Sequence, residues 1–496
     1  MKSEIKIDID YPITASPVVF DVNSDGIDEL IITADKIYIF ETLNFNLIKT
    51  FQARAPFAST PEIYTSKNGI KFIVAGSDDD ELHFFPLDAQ IKPFSFKTNG
   101  DVFSSPLIKD IDADGFDEVI FGSDDCNLYT LKINEEAEII DVKTFKTNGF
   151  VSSSPTLFPR DEFTFDIVIG SWDENIYRVD GSNLTEKWQT PLSNFIWSSP
   201  AVCDLNGDDK FEIICVSSSI FIINESGEVI GSKPLGSFTV SSPAICDIDE
   251  DGFAEIITLA DGVYIFKPNL SLKANFPIRF KSTFWASPVI CDVNGDSVQE
   301  IIACDYNGNI WVLNDKGELI PEFIKKVGTS IVATPIAIDI DKDGLIELVI
   351  CTMDGKVCII PTKGKNSKWG KFRGDGNGFV MKKFKSFEEP VNIEKIDNDS
   401  EPKILNAKIK KVRQGRVKMF ELNLKIENAS FKKAVMYFFK FGNWFPSPIF
   451  GDGENFIARF PPFRKFSIVK WFVELQNYDG KILKFPEKGF KFFLAI

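Results

Sequence analysis

Six stretches of the chain place carboxylates or amides at alternate positions of a short loop. They read DVNSDGIDE from Asp21, DIDADGFDE from Asp110, DLNGDDKFE from Asp204, DIDEDGFAE from Asp247, DVNGDSVQE from Asp292 and DIDKDGLIE from Asp339. A tightly turned loop of this kind points positions 1, 3 and 5 inward, a glycine at position 6 permits positive φ, and an acid at position 9 can close the shell. The candidate metal ligands are therefore Asp21, Asn23, Asp25 and Glu29; Asp110, Asp112, Asp114 and Glu118; Asp204, Asn206, Asp208 and Glu212; Asp247, Asp249, Asp251 and Glu255; Asp292, Asn294, Asp296 and Glu300; and Asp339, Asp341, Asp343 and Glu347. An all-oxygen set suits a hard cation, so calcium is preferred over zinc or copper. The competing reading is an Asx-turn loop without an ion, against which stands the mutual repulsion of three or four gathered carboxylates. Four loops are complete. In those at Asp204 and Asp292 the glycine has moved to position 4, leaving Asp209 or Ser297 at position 6, which predicts weaker or distorted sites.

These are not EF-hand loops, which need a bidentate Glu at position 12 between two helices. Glu118 stands at position 9, and the apolar and β-branched VIFGS and NLYTL that follow read as a strand hairpin. Stepping outward from the loops, a small residue followed by proline recurs eight times: Ser16-Pro17, Thr60-Pro61, Ser105-Pro106, Ser154-Pro155, Ser199-Pro200, Ser242-Pro243, Ser287-Pro288 and Thr334-Pro335. Successive prolines lie 44, 45, 49, 45, 43, 45 and 47 residues apart. A period of this length holding four short strands is that of a propeller blade, and the 3.6-residue apolar spacing of a helical solenoid is missing. Each repeat offers one strand after the Pro (PLIKDI), a second after the acidic loop (EVIFGS), a third after another turn (NLYTL) and a weaker outer one (DVKTFKT). IKIDID, ahead of the first Pro, matches an outer strand, so the N-terminus is expected to complete the last blade, with WGKFRGDGNG at 369–378 ending the ring.

The run of small residue-Pro, D-x-[DN]-x-D-G-x-x-E, apolar strand and DG-type turn resembles the FG-GAP or VCBS repeats of integrin-α-like calcium propellers. The resemblance covers about residues 5–378 and implies calcium at loop positions 1, 3, 5 and 9, with a structural role. The fold class is thus all-β, an eight-bladed β-propeller; that family more often closes seven blades, which is the alternative. Repeats two and four carry Thr65 and Pro159 at the first ligand position and are expected to bind no ion.

An aromatic slot 21 to 23 residues after each Pro holds Tyr38, His83, Tyr129, Tyr177, Phe221, Tyr264, Trp311 and Cys358. His83, the one histidine, reads as a packing residue replacing Tyr, which removes Ser-His-Asp and H-E-x-x-H chemistry. The eight cysteines mostly stand in apolar runs and read as buried free thiols, which suit a reducing setting. The net charge of −17 over 496 residues opposes nucleic-acid binding. It is unevenly spread: residues 403–496 hold 19 Lys and Arg against 7 Asp and Glu, a net of +12, leaving −29 for residues 1–402. Neither a membrane span nor a signal-peptide h-region is visible.

The domains expected are a propeller at 1–378, an acidic linker at 379–402 and a small basic β-sandwich at 403–496, the last with a weak resemblance to immunoglobulin-like or fibronectin-III-like modules. Candidate ligand-binding residues are Trp197 and Trp285 just ahead of their Pro, Asn99 and Asn148 in twin KTNG segments, and Trp444 and Phe445 in the sandwich. The function read from these is a non-enzymatic, calcium-stabilised binding or adhesion scaffold for a protein or carbohydrate partner, part of an exported or surface protein. The alternative is a polysaccharide lyase or hydrolase using propeller-face carboxylates.

Overall fold

The computed structural model describes residues 4–380 apart from 135–137, 193, 375 and 377, then residues 383–387 and 389, and the strands between 403 and 495. Eight four-stranded antiparallel meanders follow one another at residues 18–51, 62–97, 107–146, 156–191, 201–234, 244–279, 289–326 and 336–361, the last completed by the N-terminal strand. That strand, Ile5–Asp8, pairs antiparallel with Lys356–Pro361, Ile5 facing Ile359 and Asp8 facing Lys356. The ring is therefore closed by the chain's start, and eight blades are present rather than seven.

Strand character varies with radius for a packing reason. The second strand of each blade is buried at every residue, as in Glu29–Thr33 or Glu300–Cys304, or at all but its first, as in Lys71–Ser77 and Phe165–Gly170, because neighbouring blades cover both its faces. The outermost strands, such as Leu47–Phe51, are mostly half-buried or exposed. Cores lie between blades: Leu107, Val168, Val202 and Ile213 share one cluster, while Ile9, Leu30, Val349 and Ile359 share another across the closure. Cys203, Cys215, Cys246, Cys291, Cys304, Cys351 and Cys358 are free thiols in these cores, and Cys126 is half-buried.

The small residue ahead of each Pro turns out to be a hydroxyl with a defined partner. The backbone N–H of Ser16 donates to Thr60 Oγ1 at 3.2 Å, Thr60 to Ser105 at 3.1 Å, Ser105 to Ser154 at 3.0 Å and Ser154 to Ser199 at 3.1 Å. Ser199 then donates to Ser242 at 2.9 Å, Ser242 to Ser287 at 3.0 Å, Ser287 to Thr334 Oγ1 at 2.9 Å, and Thr334 returns to Ser16 at 3.1 Å. Eight hydrogen bonds thus form a closed belt around the channel. The proline that follows each hydroxyl opens an inner edge strand, where a missing N–H leaves no ladder bond unmade.

The segment after blade eight does more than end the ring. Ser367–Trp369 adds antiparallel to the inner strand of blade seven, Ile290 facing Trp369, and Phe379–Val380 adds parallel to that of blade five, Val202 facing Phe379. Between them Arg373, 4% exposed, donates to the carbonyls of Pro155 and Pro106, immediately below the hydroxyl belt. Beyond residue 378 the chain stays bonded to the ring, Lys385 N donating to Gly252 O and Phe387 N to Asn206 O, both at 2.8 Å. Farther on, the strands form two antiparallel sheets. One orders Lys403–Gln414, Val417–Glu427, Asn455–Phe460 and Phe450–Asp452; the other orders Asn443–Pro448, Lys433–Lys440, Ser467–Gln476 and Ile482–Phe485, with Lys491–Ala495 also on Ser467–Gln476. Among the described residues the one helical element is a 3-10 turn at Pro321–Phe323.

Removing one belt hydroxyl leaves a buried N–H without a partner, a cost of about 1–3 kcal/mol. Ser199→Ala should lower unfolding stability by that amount in chemical denaturation, whereas Ser199→Thr, the residue used at Thr60 and Thr334, should stay near wild type. Equal stability of the two variants would show that the belt contributes nothing.

Candidate functional site

Antiparallel blades put the turns between first and second strands at one end of the channel and the turns between second and third strands at the other. The six acidic loops are turns of the first kind. In each, the Glu at position 9 accepts from the backbone N–H of position 2: Val22 to Glu29 at 2.9 Å, Ile111 to Glu118 at 3.1 Å, Leu205 to Glu212 at 2.9 Å, Ile248 to Glu255 at 3.0 Å, Val293 to Glu300 at 2.8 Å and Ile340 to Glu347 at 3.1 Å. The Asp at position 1 accepts from the N–H of position 6, as Gly115 to Asp110 at 2.8 Å and Ser297 to Asp292 at 3.1 Å. Positions 4 and 6 take positive φ throughout.

The distortion expected in the loops at Asp204 and Asp292 is not in the backbone. Gly207 and Gly295 take position 4 at φ 73° and 85°, and Asp209 and Ser297 adopt φ 64° and 71° at position 6 despite their Cβ. Glycine has exchanged places with a residue that pays a small conformational cost, and the turn is the same.

Carboxylate oxygens converge within 4.8 Å at Asp110, Asp112 and Glu118, at Asp247, Asp249 and Asp251, and at Asp339, Asp341 and Glu347. In the loops at Asp21 and Asp292 an amide stands among the acids: Asn23 Nδ2 is 3.0 Å from Asp25 and from Glu29, and Asn294 Nδ2 is 3.0 Å from Asp296 and 2.8 Å from Glu300. Turning either amide over would present oxygen instead. Burial pushes Glu212 up to about 7, with Asp208 and Asp204 adding to it, and burial pushes Glu300 to about 7 beside Asp296 and Asp292. Such sets fit a hard divalent cation, which would relieve that repulsion. Among the described residues, lysines stand at ligand-position acids in the loops at Asp110 and Asp247: Lys132 Nζ lies 3.2 Å from Asp112 and 3.1 Å from Glu118 and also bonds Asp114, and Lys273 bonds Asp249.

At the opposite end, an Asp in the turn between second and third strands ties several elements together. It accepts the hydroxyl of the slot tyrosine in four blades: Tyr38 to Asp35 at 2.7 Å, Tyr129 to Asp125 at 2.6 Å, Tyr177 to Asp173 at 2.7 Å and Tyr264 to Asp261 at 2.6 Å. Trp311 Nε1 donates to Asp305 at 2.9 Å in the same way, and His83 Nε2 lies 3.0 Å from Asp79 while its ring stacks on Phe85. His83 with Asp79 and Glu81 also forms a group of possible metal-binding geometry, but Arg54 already pairs with both acids. The twin KTNG segments serve this network: the backbone N–H of Asn99 donates to Asp125 at 3.0 Å and that of Asn148 to Asp173 at 2.9 Å. A Cβ on Gly149 would meet Asp173 N at 2.3 Å, which explains the glycine. The Asn99 and Asn148 side chains are exposed.

Trp197 and Trp285 do come together. Their ring centroids are 6.2 Å apart although they belong to loops two blades apart, so they meet across the channel mouth. The contact extends to rings the sequence did not single out: Trp172 is 5.0 Å from Trp197 and 5.3 Å from Phe150, and Tyr306 is 5.3 Å from Trp285. All five are half-buried. Trp444 and Phe445 lie on Asn443–Pro448, facing Phe439 and Phe438, and their side chains fall outside the described residues.

Beside this mouth Asp124 accepts from Ser152 Oγ at 2.7 Å, and burial, then Asp101, Asp78 and Asp125, push it up to about 8.

No family model matches the chain, and no curated protein does. Among solved structures the fold is similar to that of Sqt1 from Saccharomyces cerevisiae, at 11% identity with a TM-score of 0.55, over 72% of this chain and 98% of that one. Other matches are BamB from Moraxella catarrhalis, at 14% identity and TM-score 0.48 over 72% and 98% of the two chains, and BBS1N in complex with ARL6DN, at 12% and 0.42 over 72% and 95%. At these identities the likeness is one of fold.

The Asp124 shift fixes a pH dependence. Its carboxyl stays protonated in the fold up to about pH 8 but ionises in the unfolded chain above its ordinary value, so stability falls as pH rises through that window. Asp124→Asn should make the fall in melting temperature between pH 5 and pH 8 shallower. An unchanged slope would place the dependence elsewhere.

Proposed function

We propose that this chain is a non-enzymatic scaffold that binds a protein partner at the aromatic mouth of its channel and is stabilised at the other end by calcium in the acidic loops. The observation that carries the first part is the run Phe150, Trp172, Trp197, Trp285 and Tyr306 across that mouth. Rings of this size supply contact area at little rotamer cost, the usual property of interface anchors. Ser367–Trp369 and Phe379–Val380 add to inner strands, and Arg373 between them reaches the Pro155 carbonyl next to the belt, so described residues of this segment lie at the channel's acidic end and not at the mouth. A propeller fold suits such a role. Of the carboxylates on this face, Asp35, Asp125, Asp173 and Asp261 each accept a tyrosine hydroxyl, Asp305 accepts from Trp311 and Asp124 from Ser152, so they are engaged within the fold and no observation favours the lyase or hydrolase reading.

Calcium is supported by the chemistry of the loops and by their resemblance to FG-GAP or VCBS repeats. Extracellular modules bind the ion at about 10⁻⁴ to 10⁻³ M, which favours an exported or surface setting and an adhesion role. The free cysteines do not oppose that placement: burial raises the Cys203 and Cys291 thiols well above their ordinary value, so they present little thiolate to oxidants.

Two measurements test these parts separately. Peptides selected from a displayed library on the wild-type protein should lose about 30-fold in affinity for a Trp197→Ser, Trp285→Ser variant, as loss of an anchor costing about 2 kcal/mol requires. Peptide binding that ignores the substitution, or glycan binding alone that responds to it, overturns the protein-partner reading. Independently, the melting temperature should be higher in millimolar calcium than in excess chelator. An unchanged midpoint would mean that the loops are empty turns.

A further inference from the structure

We infer that at least two of the six acidic loops carry their cation in the chain itself: the ammonium groups of Lys132 and Lys273 take the place of an ion in the loops at Asp110 and Asp247. This rests on the calcium reading above for the acidic loops and departs from it at these two.

Lys132 lies on the third strand of blade three, paired directly opposite Glu118. Its side chain, 12% exposed, runs back over the hairpin so that Nζ stands 3.2 Å from Asp112 Oδ2 and 3.1 Å from Glu118 Oε1 and bonds Asp114 as well. Those are the acids at positions 3, 9 and 5, three of the four that would hold a metal. Blade one offers no such residue at that register, since Glu41 faces Glu29.

Lys273 reaches the same kind of place by another route. It follows the third strand of blade six, its N–H bonded to Ile265 O at 2.9 Å, and its Nζ bonds Asp249 and lies 4.0 Å from both Glu255 and Asp315 of the next blade. Two lysines from different structural positions thus end among equivalent carboxylates, which a single accident of register does not produce. By contrast Lys71 touches the loop at Asp21 through the Asp21 carbonyl and Ser24 Oγ, both at 2.9 Å, and Lys342 touches it through Gly26 O. Both leave the inward side of that loop to its acids.

The energetic sense is direct. A tethered ammonium neutralises part of the cluster without the entropy of capturing a solute. An entering dication would either expel it or meet it at a few ångströms in a partly buried site, where like charges repel by several kcal/mol. The two loops are accordingly closed in the absence of calcium.

Bound calcium is counted by equilibrium dialysis, using the metal alone, on the full chain. Lys132→Met and Lys273→Met should each saturate at one ion more than wild type, and the double variant at two more. The lysine variants should also melt lower than wild type in chelator and regain the difference when calcium is added; Lys132→Gln repeats the test should Met impair folding. Six ions in wild type, or no added ion in the variants, overturns the inference. A wild type that binds none while each variant gains one would uphold it and reject the calcium reading of the other four loops.

Discussion

The architecture depends on eight backbone N–H groups that crowd together where the inner strands begin. Each is buried at the narrowest part of the ring, too far from its own blade's ladder to be satisfied there. The hydroxyl of the next blade satisfies it, and because every blade does this for its predecessor the chain of bonds has no free end. Closure is therefore a hydrogen-bonding requirement as well as a hydrophobic one. An open stack would leave Thr334 N and the Ser16 hydroxyl without each other, in addition to exposing two apolar blade faces.

That belt also divides the molecule. On one side the first-to-second-strand turns gather carboxylates, and the chain from 367 to 380 enters the channel among them and ends its ascent at Arg373, whose guanidinium meets carbonyls next to the belt. On the other side Asp125 and Asp173 are taken up by Tyr hydroxyls and loop amides, and aromatic rings from three inter-blade loops and two turns shape the surface. The two ends share a topology but differ in chemistry, one suited to ions and one to an apolar partner.

Much of this was legible because the repeat is a physical period. Proline spacing located the inner strands, the acidic loops located the first turns, and IKIDID was readable as a completing strand since its alternation matched an outer one. The belt is not legible in the sequence: Ser and Thr before Pro read as small residues, and only the fold shows that their oxygens, and not their size, matter. The slot tyrosines gave the register, yet their partners Asp125 and Asp173 sit in turns where an Asp is ordinary. Trp172 escaped notice because it lies in a turn that elsewhere carries Asp or Tyr, and its neighbours in space are from other blades. Lys132 and Lys273 could not be placed without strand register, and the path of residues 367–380 obeys no repeat at all.

Charge follows the same logic of neighbours. Part of the ring's acidic excess is compensated within a blade, as by Lys132 and Lys273, while lysines from a different blade or from the segment after blade eight bond loop carbonyls. Lys71 of blade two reaches the first loop, Lys342 of blade eight reaches the same loop across the closure, and Lys368 and Lys385 reach Asp247 and Asp251 carbonyls from the channel segment. Exposed pairs of this kind contribute little one by one. Here, however, each bond joins segments that packing has already placed, so their role is to hold adjacent turns in register. The acidic loops are then junctions between blades as much as turns within them, and any cation they hold, whether metal or lysine, is attached to the seam that the belt closes from the other side.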